Sequence, residues 1–329
     1  MLGLFTNCLF ITESYEHTYR TFSAAQMGDA PVRTMDDIRR NPMPGTEYIF
    51  TSWGFPALAE EEIAALFPKL KAVMYAAGTV QKFARPYLAR GVRVFSAWAA
   101  NAIPVAEFAA AQIVLANKGY FQTHARYREG AEGALAYCDS FYEGNYGARV
   151  GLLGAGMIGR HVIKLLQPYK IEIWVYDPFL TAEKARELGV AKKTLAEVFA
   201  NCRTVSNHMA NKPETVGILN YALFSAMLPN ATFINTGRAA QVVKADLLRA
   251  MDDCPDRTAL LDVTEPEEPL LPGSDYWNHP NVFHTPHRAG SMAGEIRRVA
   301  QYMLDEYARL MAGKPVLYEV TEDMLAAMA

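Results

Sequence analysis

The sequence predicts an α/β protein of two doubly wound parallel-sheet domains. Three observations predict it. Short apolar runs bounded by Gly and Pro alternate with helical stretches over the first hundred residues. The alternation resumes at Arg149 and continues to about residue 286. The 329 residues are enough for two cores, and 51% of them are hydrophobic. Strands that alternate with helices imply parallel sheets with helices packed on their faces.

In chain order, the apolar start, residues 1–11, reads as a first buried strand, and 48–51, 72–75 and 92–95 read as three more. Residues 58–66, rich in Glu, Ala and Leu, read as a helix. Residues 104–117 predict a strong helix with Pro104 at its first position, where a missing N–H costs nothing. Residues 118–147 are aromatic, charged and spotted with glycine, with weak periodicity, and read as a surface excursion and candidate dimer arm. Strands are then expected at 149–153, 171–176, 203–207, 232–236, 258–263 and 282–285. A last helix over 295–311 follows Gly290 and Gly294, which suit a hinge-like crossing between domains.

Composition excludes several classes. The formal net charge is −3 without long runs of either sign, unlike the basic footprint of a nucleic-acid binder. Cys8, Cys138, Cys202 and Cys254 are scattered and form no CxxC pair, which suits reduced thiols in the cytoplasm. The apolar start lacks a cationic n-region, with no Lys or Arg before Arg20. No uninterrupted apolar run reaches the roughly 20 residues of a membrane span. His279, His284 and His287 match no metal-ligand spacing, so no metal is expected.

The most informative motif is Gly154-Ala155-Gly156-Met157-Ile158-Gly159, placed where a strand runs into a helix. In such a turn Gly154 allows the sharp reversal, Gly156 lets a pyrophosphate approach the backbone, and Gly159 permits close helix–strand packing. The helix N-terminus offers unpaired N–H groups to phosphate. Asp177 follows 18 residues after Gly159, at the end of the next strand. A carboxylate there suits the ribose hydroxyls and repels a 2′-phosphate, which favours NAD over NADP.

Three polar segments follow three successive strands: Asn235 to Arg238, Asp262 to Glu267, and Thr285 to His287. Ligands of open α/β sheets bind at the carboxyl ends of strands, so these segments are expected to share one crevice. Arg238 can grip a planar carboxylate with a fork of charge-assisted bonds. His287 can deliver or accept a proton at a carbonyl oxygen. Glu267, bonded to the other ring nitrogen, can fix the imidazole tautomer. This chemistry suits reduction of a 2-oxo acid, with the hydride supplied by the cofactor.

These motifs resemble those of the D-isomer-specific 2-hydroxyacid dehydrogenases, a family that includes phosphoglycerate dehydrogenase, glyoxylate/hydroxypyruvate reductase and D-lactate dehydrogenase. The resemblance runs from about residue 73 to 300. Val105-Ala106-Glu107 resembles the family's VAE, His208 to Thr215 its HxPLTxxT segment, Ile234 to Arg238 its catalytic-arginine motif, and Thr285-Pro286-His287 its TPH. The resemblance implies a Rossmann NAD-binding domain over 103–293, inserted in a flavodoxin-like substrate domain of residues 1–102 and 294–329, and a homodimer. It implies that the catalytic glutamate stands five residues after Asp262, at Glu267, and not at Glu265 or Glu268. Besides the glycine motif with Met157 and Ile158, and Asp177, it implies cofactor contacts at His208, Thr215, Thr236, Gly237, Arg238, Asp262 and His287. Asp262 would meet the nicotinamide. Ala77 and Gly78 would join Arg238 and His287 in binding substrate.

The chain departs from the family pattern at Ala239, usually glycine, at Val243, often aspartate, and in the loop 77–81. Arg288 stands after the histidine where an apolar residue is more usual; it meets a second anionic group on the substrate or is a surface or subunit-contact arginine. The same fold also serves as an NAD-sensing corepressor without catalysis, which is the alternative reading. Formate dehydrogenases place glutamine where Glu267 stands, which disfavours that activity.

Overall fold

The computed structural model describes residues 5, 7–11, 18–19, 30–127, 130–265 and 268–327. The chain divides into two compact units, one of Met1–Ala102 with Ser291–Ala329 and one of Ile103–Gly290.

In the first unit, strands β1 (Cys8–Ile11), β2 (Val32–Arg33), β3 (Tyr48–Thr51), β4 (Ala72–Tyr75) and β5 (Arg93–Ser96) form a parallel sheet in the order β2-β1-β3-β4-β5. A short strand not expected from sequence, β13 (Glu319–Val320), adds antiparallel to β5 at the edge. The strands are apolar at consecutive positions because both faces are covered, as parallel sheets require. Leu9, Ile49, Val73 and Val94 face helices Met35–Arg40, Glu60–Leu66 and Ala84–Ala89. Phe10, Phe50, Met74 and Phe95 face helix Ile296–Met311 through Val299, Met303 and Tyr307. Helix Met35–Arg40 starts where Thr34 Oγ1 accepts the Asp37 N–H at 2.9 Å.

The second unit holds seven parallel strands: β6 (Arg149–Leu153), β7 (Glu172–Tyr176), β8 (Ala191–Lys192), β9 (Thr204–Asn207), β10 (Thr232–Asn235), β11 (Thr258–Leu261) and β12 (Val282–His284). Their order is β8-β7-β6-β9-β10-β11-β12, so the winding reverses between β6 and β9. In open sheets of this kind, ligands bind outside the carboxyl ends of the strands at such a reversal. Val150, Leu152, Ile234 and Leu260 pack against Ala106, Ala109 and Ile113 on one face. Val205, Phe233 and Ala259 pack against Phe199, Phe224 and Leu247 on the other.

Two expectations need correction. The helix expected to start at Pro104 spans Trp98–Asn117, with Pro104 inside it. The alanine-rich turn before the proline favours helix, and Ala100 within that turn is buried in the core of the first unit. This helix is long and apolar enough to cross a membrane, but Ala106, Ala109 and Ile113 belong to the core. The excursion at 118–147, to which the sequence reading assigns no helix, holds helices Tyr120–Tyr127 and Ala131–Phe141. Gln122 Nε2 donates to Thr232 Oγ1 at 3.2 Å, and the Tyr137 hydroxyl bonds Asn230. Those buried polar anchors interrupt the apolar spacing, which hid the helices from a periodicity reading.

Candidate active site

Strand β6 ends in the glycine turn. Gly154 has φ +97°, and a Cβ on it would lie 2.9 Å from the His208 carbonyl oxygen. A Cβ on Gly159 would lie 2.1 Å from the Gly154 carbonyl oxygen, so only glycine lets helix Met157–Leu166 approach the turn. Gly156 is different. Its backbone is ordinary extended chain, and a Cβ there would meet nothing within 4 Å. The fold itself does not require glycine at this position; the open space is what a pyrophosphate lying on the backbone needs. No side chain caps the helix, so its first N–H groups are available to an anion.

Asp177, after β7, accepts Ala155 N–H at 2.7 Å and Phe179 N–H at 2.8 Å, one on each oxygen. An ionised carboxylate has about four acceptor positions, so two remain for ribose hydroxyls. The residues of this turn therefore fit a dinucleotide. Met157 is 45% exposed beside it, whereas Ile158 packs into the core.

Beyond β9 and β10, two buried layers tie the loops together. In the first, His208 shares hydrogen bonds with Ser206 Oγ at Nε2 (3.0 Å) and Thr236 Oγ1 at Nδ1 (3.3 Å). Burial pushes its pKa down to about 4, so the imidazole is neutral. In the second, Asn207 Nδ2 donates to Asn235 Oδ1 at 3.0 Å and to Gln241 Oε1 at 2.7 Å. Thr215 Oγ1 donates to the carbonyls of Ala210 and Lys212 at 2.9 Å, closing the loop after β9. Gly237 fits because a Cβ there would lie 2.8 Å from Asn207 Nδ2. Sequence reasoning misses Asn207 and Gln241; the available signal is a pair of polar residues, one at a strand end and one in a short turn.

The reacting groups stand on the next loops. Burial holds the Arg238 guanidinium below its ordinary pKa, and the negative charge of Glu268 opposes that shift. Its Nη1 donates to the Gly237 carbonyl at 2.8 Å. Asp262 organises the loop after β12: it accepts from Thr285 Oγ1 at 2.6 Å, Arg288 N–H at 2.7 Å and Ala289 N–H at 2.9 Å. Its carbonyl accepts the His287 N–H at 2.9 Å. His287, bent to φ +52°, hydrogen-bonds through Nδ1 to Glu268 Oε1. The resemblance points to Glu267 and away from Glu268; the structure puts the Glu268 carboxylate on the imidazole, with its charge acting on Arg238. Glu267 lies outside the described residues.

His279, His284 and His287 each have a different neighbour: Asp252, the Trp277 ring and Glu268. Val243, where aspartate was the common alternative, precedes helix Lys244–Asp253 without a side-chain cap. Arg288 is exposed, and its backbone N–H donates to Asp262 Oδ1. In the first unit, the Ala77 and Gly78 carbonyls after β4 accept from Ser96 Oγ at 2.9 and 2.5 Å. Phe55 and Tyr75 pack in that unit's core, and Trp98 packs against it; Trp53 is 39% exposed.

Residues 110–289 match the family model described as D-isomer specific 2-hydroxyacid dehydrogenase, NAD binding domain. The D-3-phosphoglycerate dehydrogenase of Bacillus subtilis is 30% identical over 227 residues, which are 69% of this chain and 42% of that protein. The chain thus spans less than half the length of that relative. The structure of Rhodotorula graminis D-mandelate dehydrogenase matches with a TM-score of 0.78 at 18% identity, over 96% of this chain and 97% of that one. A Granulicella formate dehydrogenase matches with a TM-score of 0.70 at 23% identity, over 90% and 81%. At such identities the structural likeness is one of fold.

Proposed function

The chain belongs to the D-isomer specific 2-hydroxyacid dehydrogenase family, and on that premise we propose that it is an NAD(H)-dependent oxidoreductase interconverting a small 2-oxo acid and its D-2-hydroxy acid. One observation carries the reading: a single carboxylate, Glu268, bonds the His287 imidazole while its charge acts on the Arg238 guanidinium. Groups far apart in sequence are thereby linked at the carboxyl end of one sheet.

Arg238 grips the substrate carboxylate; partial burial strengthens a charge-assisted fork by excluding water. Glu268 accepts a hydrogen bond from the Nδ1–H of His287, which fixes the ring and leaves Nε2 to give a proton to the ketone oxygen or to take one from the hydroxyl. Glu268 fills the role that the sequence reading gave to Glu267. Bound NADH supplies the hydride. Gly154, Gly156, Met157 and Gly159 hold the pyrophosphate and Asp177 the ribose, while His208, Thr215, Thr236, Gly237 and Asp262 shape the nicotinamide end. Substrates include glyoxylate and hydroxypyruvate.

The proposal extends to a cytoplasmic homodimer. Four free cysteines support the compartment. The helical excursion supports the dimer, since it exposes Tyr127 (62%), Leu135 (64%) and Tyr146 (81%). Light scattering reads the oligomeric state.

The test of function is NADH and NADPH oxidation with glyoxylate, hydroxypyruvate, pyruvate, phenylpyruvate and 2-oxoglutarate. NADH turnover with at least one acid is expected. NADH binding without turnover of any would overturn the enzyme reading in favour of a sensor.

A further inference from the structure

We infer that Gln241 is a positioning residue for Arg238, acting through the backbone of the loop between β10 and helix Lys244–Asp253. The inference rests on the reading that Arg238 grips a substrate carboxylate. Gln241 is fully buried, so it touches no substrate. Every polar atom of its amide is nevertheless used. Oε1 accepts the Arg238 N–H at 3.3 Å and Asn207 Nδ2 at 2.7 Å. Nε2 donates to the Ala210 carbonyl at 2.9 Å, the Met209 carbonyl at 3.2 Å and Thr215 Oγ1 at 3.4 Å.

One amide therefore joins the loop after β9 to the backbone of the arginine. Asn235 reinforces it: its Oδ1 accepts the Gly237 N–H at 3.1 Å, and its Nδ2 donates to the Arg238 carbonyl at 3.3 Å. The chain presses onto this cluster closely, for a Cβ on Gly237 would lie 3.0 Å from Gln241 Oε1. The guanidinium inherits the placement, since its Nη1 donates to the Gly237 carbonyl. A forked carboxylate contact tolerates little displacement of the fork, and a misplacement near 1 Å costs on the order of a hundredfold in a positioned reaction.

The test compares wild type with Gln241→Met, which keeps length and removes all five bonds. Two quantities are read at saturating NADH: KM against kcat for the best 2-oxo acid, and binding of oxamate, a non-reducible carboxylate probe, through quenching of bound-NADH fluorescence. The expected result is at least about a tenfold weakening of oxamate and a matching rise in KM, with kcat changed less. A structural role alone would lower the melting temperature and leave oxamate affinity within twofold; that outcome overturns the inference. Gly237→Ala perturbs the same contact from the backbone side and serves if Gln241→Met does not fold. It is expected to weaken oxamate likewise, and unchanged affinity refutes the idea. Oxamate binding without turnover in the wild type would refute the proposed function and still test Gln241. Failure to bind oxamate together with no turnover of any 2-oxo acid would overturn both.

Discussion

Acidification should destabilise the second unit measurably through one side chain, His208. The imidazole is 7% exposed, lies between Ser206 and Thr236, and titrates near 4 because burial disfavours the cation. In the unfolded chain it titrates near its ordinary value of 6.5. Above pH 6.5 both states hold it neutral and the full stability is present. Between pH 6.5 and 4 the unfolded chain binds the extra proton, so stability falls as pH falls. At about 1.4 kcal/mol for each tenfold change in proton affinity, the whole descent amounts to about 3 kcal/mol. The perturbation is His208→Gln, which keeps a polar group and removes the titration. Urea unfolding followed by circular dichroism at pH 7.5, 6, 5 and 4.5 would show the variant losing less stability than the wild type across that window. Parallel pH profiles would refute the assignment of the penalty to His208.

Gly156→Ala should fold as well as the wild type, or gain a few tenths of a kcal/mol, because nothing lies where its Cβ would go. NADH fluorescence should nevertheless show cofactor binding lost, while Gly159→Ala should lower the melting temperature, its Cβ striking backbone. Glu268→Gln should reduce kcat on the order of a hundredfold, and Glu267→Gln much less, in steady-state assays; the reverse order would return the role to Glu267. Val243→Asp should cap helix Lys244–Asp253 and add about 1 kcal/mol in thermal melts.

Much of this was legible in sequence because strands buried on both faces are written as apolar runs. The strands at 149–153 and 232–235 fall where the runs fall. Short edge strands such as β8 and β13 bury too little to leave a pattern. The glycine turn was readable because each glycine answers a separate steric demand. The partner of His287 was not. Glu265, Glu267 and Glu268 are one charge type within four positions, and only the path of the loop decides which reaches the ring. Gln241 was equally hidden, since a buried amide hub depends on where two distant loops meet.

The central claim is that His287 moves the proton during reduction of a 2-oxo acid. The most direct measurement is kcat of His287→Asn with saturating NADH, beside a titration of NADH affinity. The account predicts kcat lower by about a hundredfold to ten-thousandfold, with NADH still bound. A variant that reduces the acid at the wild-type rate would contradict it.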